Sequence, residues 1–177
     1  MTLDDLTKII AEVQKLQSEL DNLEVKAAQK GTPQRLFEAL SAFSNRPGGG
    51  VLILGLDESK RFENVGVGNA HRLQEEISHL AASEMEPPLR PEFTVKDFEG
   101  KTVVAVEISE VPTNRKPCYY KAAGLQKGAY IRVGNTHRQM TDYEIYGYAS
   151  FRTQPTIDQE IVPDATLEDL DRNHLTQ

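Results

Sequence analysis

The stretch Ala42-Phe-Ser-Asn-Arg-Pro-Gly-Gly-Gly-Val-Leu-Ile-Leu-Gly-Leu-Asp57 decides the fold of this 177-residue chain. It runs from the end of a helical apolar pattern, through three consecutive glycines, into a short apolar run. Glycine adopts the positive φ of a tight turn at little cost. A near-continuous apolar run is typical of a strand that is covered on both faces. The stretch therefore predicts a helix, a glycine turn and a central strand, in that order.

The same glycines could also offer backbone N–H groups to a phosphate. A P-loop would continue with Gly-Lys-Ser or Gly-Lys-Thr, and a dinucleotide fingerprint would follow a strand and open a helix. This run precedes a strand, and Asn45-Arg46-Pro47 stands in front of the glycines. The pattern favours turn geometry over a nucleotide site.

Further secondary structure is predicted on both sides of this stretch. Upstream, leucine, isoleucine and valine at three- and four-residue steps predict an amphipathic helix over residues 3–20, packed against the domain or against a second copy. A short strand starts at Leu23, and Thr32 and Pro33 have the residue types that begin a helix, here one running to about Ser44. We expect Leu36, Leu40 and Phe43 to form the buried stripe of that helix. Downstream we predict a helix over residues 70–83, a hairpin of strands 93–97 and 102–108, strands 117–121 and 129–133, and a final helix capped by Thr141.

These elements predict an α/β fold with a mixed sheet of about six strands, two or three flanking helices and the N-terminal helix. We expect residues 1–20 to form that helix and residues 21–153 to form the domain. Residues 154–177 are acidic and aperiodic, and we expect them to be a tail that leads into a further region.

Composition limits the classes of function. The chain has one cysteine, Cys118, so it can form neither an internal disulfide nor a cysteine-based metal cluster. No stretch approaches the roughly 20 apolar residues that span a bilayer. We therefore expect a cytoplasmic protein without a membrane partner.

The net charge of −7 argues at first against nucleic acid, but the charges are unevenly distributed. Most of the excess acid lies before residue 26 and after residue 154. Residues 111–141 contain no Asp or Glu, and six basic side chains lie there: Arg115, Lys116, Lys121, Lys127, Arg132 and Arg138. Such a segment can form a phosphate-binding surface, or it can be a solvated face whose acids lie elsewhere in space.

Four ordered sequence elements resemble those of the Schlafen AlbA-type domain. They are Glu19-Leu-Asp-Asn-Leu-Glu-Val-Lys26, the helix–turn–strand stretch above, Pro117-Cys-Tyr-Tyr-Lys121 and Tyr130-Ile-Arg-Val-Gly-Asn-Thr-His-Arg-Gln-Met-Thr141. The resemblance implies a nucleic-acid-binding module of a bacterial transcriptional regulator, with DNA or RNA as partner and no cofactor needed for binding. It leaves open a homodimer through the N-terminal helix, and an oligomerisation or protein-interaction module is a further alternative.

Some Schlafen relatives cleave RNA with three carboxylates that hold a divalent metal. Carried over by motif position, those carboxylates would be Glu19, Glu24 and Asp57. Oxygen ligands suit Mg²⁺ or Mn²⁺, and a bound metal can activate water. The alternative is a set of salt-bridged carboxylates without catalytic function.

We predict that phosphate contacts come from Lys26 and from the six basic residues of segment 111–141. The alternation of Ile131, Arg132 and Val133 predicts that Arg132 projects from the sheet face opposite the core. Tyr119, Tyr120 and Tyr130 could stack on bases, although tyrosines in strands are more often half-buried.

Overall fold

The computed structural model describes residues 1–153, with side chains to residue 150. Its helices are α1 (Leu3–Leu16), α2 (Leu36–Asn45), α3 (Ala70–His79), α4 (Gly124–Gly128) and α5 (Asp142–Thr153). Its strands are β1 (Leu23–Lys26), β2 (Gly50–Leu54), β3 (Leu56–Asp57), β4 (Glu63–Asn64), β5 (Met85–Glu86), β6 (Glu92–Phe98), β7 (Lys101–Ile108), β8 (Tyr119–Tyr120), β9 (Tyr130–Val133) and β10 (Thr136–Gln139). The predicted acidic tail lies outside the described residues.

The central sheet has four strands in the order β1-β2-β7-β6. Strand β1 runs parallel to β2, and the other neighbours are antiparallel. The six remaining strands form three two-stranded ribbons. The predicted α/β class is therefore confirmed, whereas the sheet is smaller than the six strands expected.

Strand β2 is covered on both faces, as its apolar run predicts. Leu52 and Leu54 face the larger core, to which α2 and α3 contribute. Ile53 faces a second core that contains Leu6 and Val13 of α1. Burying both faces places the strand that follows the glycine turn at the centre of the fold.

Helix α1 packs against its own domain. Leu6, Ile10 and Val13 are fully buried on the sheet, so they are unavailable for contact with a second copy. The helix ends at Leu16 rather than at residue 20, because Gln17 takes a left-handed conformation with φ 52° and its N–H donates to the Val13 carbonyl.

Helix α2 begins at Leu36, three residues later than predicted. Arg35 takes the left-handed cap position, and the hydroxyl of Thr32 donates instead to Glu76. The predicted buried stripe of Leu36, Leu40 and Phe43 is confirmed.

The segment from residue 117 onward lies outside the central sheet because side chains of α2 bind its backbone. The Asn45 amide nitrogen donates to the carbonyls of Cys118 (2.8 Å) and Tyr130 (3.0 Å), and Asn45 Oδ1 accepts from the Cys118 N–H. The Ser41 hydroxyl accepts from the Tyr130 N–H at 2.8 Å. These buried side chains take the place of a neighbouring strand.

The final helix begins as predicted. Thr141 and Glu144 form a reciprocal cap, in which Glu144 N–H donates to the Thr141 hydroxyl and the Glu144 carboxylate accepts from the Thr141 N–H. Within residues 1–153, no helix combines the length and the apolar character needed to cross a bilayer.

Candidate functional site: a buried ion-pair cluster and an exposed basic surface

Two of the predicted carboxylates meet at the outer edge of β1. Glu24 lies on that strand and Glu19 lies in the connection from α1, and their side chains are only 7% and 6% exposed. Both carboxylates contact the guanidinium of Arg132, which reaches them from β9. Arg132 and its two glutamates, together with His137, form what we call the buried ion-pair cluster.

The placement of Arg132 does not suit the predicted phosphate contact, because its side chain does not reach solvent. Its side chain is 2% exposed, and its Nη2 donates to the Leu23 carbonyl at 2.6 Å and contacts Glu19 Oε2 at 3.3 Å. The guanidinium carbon lies 5.1 Å from the centre of the Phe43 ring. The alternation along β9 was correctly read, but the face opposite Ile131 packs against the edge of β1 instead of facing water.

The two glutamates have pKa values shifted in opposite directions. Burial raises the pKa of Glu24, but hydrogen bonds from Lys26 and Arg132 outweigh burial and hold the pKa below its usual value. Burial also raises the pKa of Glu19, and there the Val25 N–H and the Arg132 charge compensate only in part. The neighbours of Glu24 therefore stabilise its charged form more than the neighbours of Glu19 stabilise that of Glu19.

His137 completes the cluster, and no sequence pattern identified it. The hairpin register places it directly opposite Arg132, and its Nε2 lies 2.8 Å from Arg132 Nη1 and 3.1 Å from Glu24 Oε2. An arginine can only donate, so the first contact requires an unprotonated Nε2. Nδ1 is buried without a hydrogen-bond partner among the described residues. The Gly134-Asn135 pair was the available signal, because a two-residue hairpin loop there sets this register.

We expect the free energy of unfolding to fall as the pH drops below about 6.5, through His137. Burial lowers the pKa of His137 from the ordinary 6.5, although Glu24 opposes the shift. The unfolded chain then binds this proton more readily than the folded chain, so stability is present at higher pH and is lost on acidification. One such proton gives a slope of at most about 1.4 kcal/mol per pH unit.

The measurement is urea unfolding of the wild type and of His137→Gln between pH 5.5 and 7.5. The free energy of unfolding of the variant should depend less steeply on pH than that of the wild type. Because the pKa of Glu19 is raised, Glu19 lowers the free energy of unfolding as the pH rises above 4.5. This contribution is present in both the wild type and the variant. Equal slopes for the two proteins would contradict the prediction.

The third predicted carboxylate, Asp57, has different partners. Its Oδ1 accepts hydrogen bonds from the N–H and the hydroxyl of Ser59, and its Oδ2 lies 3.8 Å from Lys60 Nζ. Within residues 1–153, no three His, Cys, Asp or Glu side chains are arranged to hold a metal ion. In this arrangement the carboxylates of Glu19 and Glu24 are engaged by Arg132, so the set does not fit a divalent cation.

The predicted phosphate-binding residues separate into buried and exposed groups. Lys116 is buried, and its Nζ donates to the Asn45 carbonyl at 2.9 Å and to Glu110 at 2.6 Å. Lys26 is 43% exposed and pairs with Glu24 at 2.6 Å. Arg132 is buried in the ion-pair cluster. The other four are exposed, and we call them the basic surface: Arg115, Lys121, Lys127 and Arg138.

The basic surface is formed by elements that contact one another. Lys121 lies in the turn that leads into α4, and the Lys127 carbonyl at the end of α4 accepts from the Gln139 side chain at 2.8 Å. Arg138 binds Glu144 of α5 through both terminal nitrogens, at 2.7 and 3.1 Å. This contact and the Thr141 cap lower the pKa of Glu144 to about 2, so Arg138 keeps an ionised partner at any ordinary pH.

The glycine turn has a structural role. Gly48 and Gly49 have φ values of 78° and 70°. The Gly48 N–H donates to the Glu110 carboxylate at 2.8 Å, and the Gly49 N–H donates to the Arg46 carbonyl. The backbone groups that could have held a phosphate are bound to the chain itself.

The predicted stacking tyrosines lie mainly inside the protein. Tyr120 stacks on Phe37 with ring centres 4.4 Å apart, and Tyr130 meets the edge of the same ring. Tyr119 packs against the small core beneath α5. Among the side chains of residues 1–150, the exposed tyrosine rings are instead those of Tyr143 and Tyr146, which the sequence patterns did not identify as stacking residues.

Three comparisons place the chain among known proteins. The solved N-terminal domain of a RecG-related protein from Nitrosomonas europaea is 30% identical, with a TM-score of 0.59, and the match covers 76% of this chain and 92% of that one. The DIP2311 protein from Corynebacterium diphtheriae is 17% identical, with a TM-score of 0.53 over 86% of this chain and 30% of that one, and so shows the fold alone. No curated protein matches. The family model described as "Schlafen, AlbA_2" matches residues 19–141. That range holds all four sequence elements, the buried ion-pair cluster and the basic surface. The chain therefore belongs to the Schlafen AlbA_2 family.

Proposed function

We propose that this chain is a cytoplasmic nucleic-acid-binding domain and that the basic surface contacts the phosphate backbone. The observation that carries the proposal is the exposure of Arg115, Lys121, Lys127 and Arg138 on adjoining elements, within a segment that contains no Asp or Glu. Such a surface concentrates positive potential even though the whole chain is acidic. The structural neighbour from Nitrosomonas europaea has a name that relates it to an ATP-dependent DNA helicase, which agrees with this proposal.

The charges of the basic surface suit phosphate better than a specific protein partner. Lys121 and Lys127 are exposed, and they carry long side chains that adapt to a flexible backbone. Arg138 keeps 44% of its side chain exposed beside Glu144. Contacts of this kind position a nucleic acid without reading its sequence. A role in a transcriptional regulator would require a further region that recognises the target nucleic-acid sequence.

Exchanging Lys121 and Lys127 for glutamate should weaken nucleic-acid binding roughly tenfold at 50 mM salt. Each lost phosphate contact should also reduce the slope of log affinity against log salt by about one. The measurement is fluorescence anisotropy of labelled DNA and RNA oligonucleotides over a salt series. Lys8→Glu with Lys15→Glu is the matched control, because these exposed lysines lie on α1 and the charge change is identical. Equal losses in both double variants would contradict a local binding surface.

The two other functions make different demands. A metal-dependent ribonuclease requires cleavage of RNA with Mn²⁺ that Glu24→Gln abolishes, and intact RNA after prolonged incubation would count against it. Dimerisation through α1 remains a prediction as well. It would have to use Leu3 and Leu16, which are 50% and 52% exposed, because the central stripe of the helix is buried.

A further inference from the structure

Two tyrosines stand out from the surface of α5. Tyr143 is 85% exposed and Tyr146 is 71% exposed. They lie three residues apart, so they are neighbours on one face of the helix. The opposite face is anchored by Ile145 and Tyr148, which pack in the small core around Met140. The exposed pair is therefore carried by a helix whose position is fixed from behind.

Leaving two rings in water forgoes a large burial energy, because aromatic side chains bury 150–250 Å² each when they pack. The four other tyrosines of the chain pack at least partly against the protein. The outward orientation of Tyr143 and Tyr146 is thus the exception within the described residues. A ring in this position offers its π face to a flat partner.

The charges beside the pair include two arginines and, in the first turn of α5, the acids Asp142 and Glu144. Arg138 is joined to α5 through Glu144, and the turn Thr113–Arg115 packs against the same helix. The exposed rings and the two arginines are therefore carried by adjoining elements. A partner with flat rings and a phosphate backbone complements both features.

We propose that Tyr143 and Tyr146 stack on successive bases of a single-stranded nucleic acid whose phosphates contact Arg115 and Arg138. The inference rests on the proposed function and names its ligand class. Bases of a duplex are already stacked on one another, so only an unpaired strand presents their faces to side chains. The ligand is therefore a single strand of DNA or RNA, in preference to a duplex.

The test uses the full chain with a labelled 20-nucleotide oligo(dT), an unstructured RNA 20-mer and a 20-base-pair DNA duplex. Changing both tyrosines to alanine should weaken single-strand binding at least tenfold, since stacking contributes substantially for each base. Changing both to phenylalanine should retain binding within about twofold, because the ring remains. Duplex binding should change less than twofold in either variant. Thermal unfolding checks that these exposed substitutions leave the fold intact.

The outcomes separate the two proposals. Wild-type binding to single strands that the alanine variant leaves unchanged overturns stacking and leaves the binding domain in place. Equal loss in the phenylalanine and alanine variants also overturns stacking, because the hydroxyl would then be the contact. A shift from dimer to monomer in sedimentation, with binding unaltered, identifies the face as a protein contact and overturns the inference. No binding of any oligonucleotide at low salt removes the proposed function itself.

Discussion

Arg132→Met should lower the free energy of unfolding by about 3–5 kcal/mol, the range for removing one partner of a buried ion pair. The guanidinium contacts both Glu19 and Glu24, and all three side chains are at least 93% buried. Methionine fills much of the same volume but donates no hydrogen bond. Glu24 keeps its ion pair with Lys26, whereas Glu19 keeps the hydrogen bond from the Val25 N–H. The measurement is urea unfolding followed by circular dichroism.

Two further variants show whether charge is the cause. Arg138→Met removes an arginine of the same hairpin from a partly exposed pair and should lower the free energy of unfolding far less, because solvent screens that pair. Adding Glu19→Gln and Glu24→Gln to Arg132→Met should restore part of the loss, because no uncompensated charge remains. Similar costs for the two arginine variants, or no recovery in the triple variant, would show that the cluster does not depend on ion pairing.

Gly49→Ala should cost about 3 kcal/mol or more, through two effects at one residue. A Cβ atom at this position would lie 2.2 Å from the Ile108 carbonyl oxygen, a contact that the backbone must move to relieve. The residue also has φ 70°, where an L side chain costs roughly 1–2 kcal/mol. The turn joins α2 to the central strand, so the displacement reaches β2 and β7 together. Thermal unfolding measures the loss.

Gly134→Ala separates the two effects. Gly134 has φ 59°, but a Cβ there meets no atom within 4 Å. This variant should therefore show only the conformational cost, roughly 1–2 kcal/mol. If Gly49→Ala is no more destabilising than Gly134→Ala, the close approach to Ile108 does not restrict the turn.

Helices and strands were predicted well where a single residue pattern was clear within the segment. The apolar run of β2, the stripe of α2 and the Thr141 cap all appear in the structure. The sheet was overcounted because strand patterns such as that at Tyr119–Tyr120 do not reveal the partner strand. Here Ser41 and Asn45 bind the backbone of that region, and their role depends on contacts across more than 70 residues.

The site was harder to predict than the fold. Motif position grouped Glu19, Glu24 and Asp57, and the structure places Glu19 and Glu24 on one guanidinium. It could not show that Arg132, more than a hundred residues away, would lie between them. Exposure also depends on the folded surface, so sequence alone could not distinguish buried Lys116 from exposed Lys127, or buried Tyr130 from exposed Tyr143.

The buried ion-pair cluster has one more consequence, which concerns the edge of the sheet. Within residues 1–153, no strand pairs with the outer side of β1, where unpaired backbone groups invite another chain to add a strand. There the Leu23 carbonyl accepts from Arg132, the Val25 N–H donates to Glu19, and the Leu23 N–H donates to the Leu20 carbonyl. The side chains that resemble a catalytic set thus occupy the backbone positions an incoming strand would need, and they protect the domain from edge-to-edge aggregation.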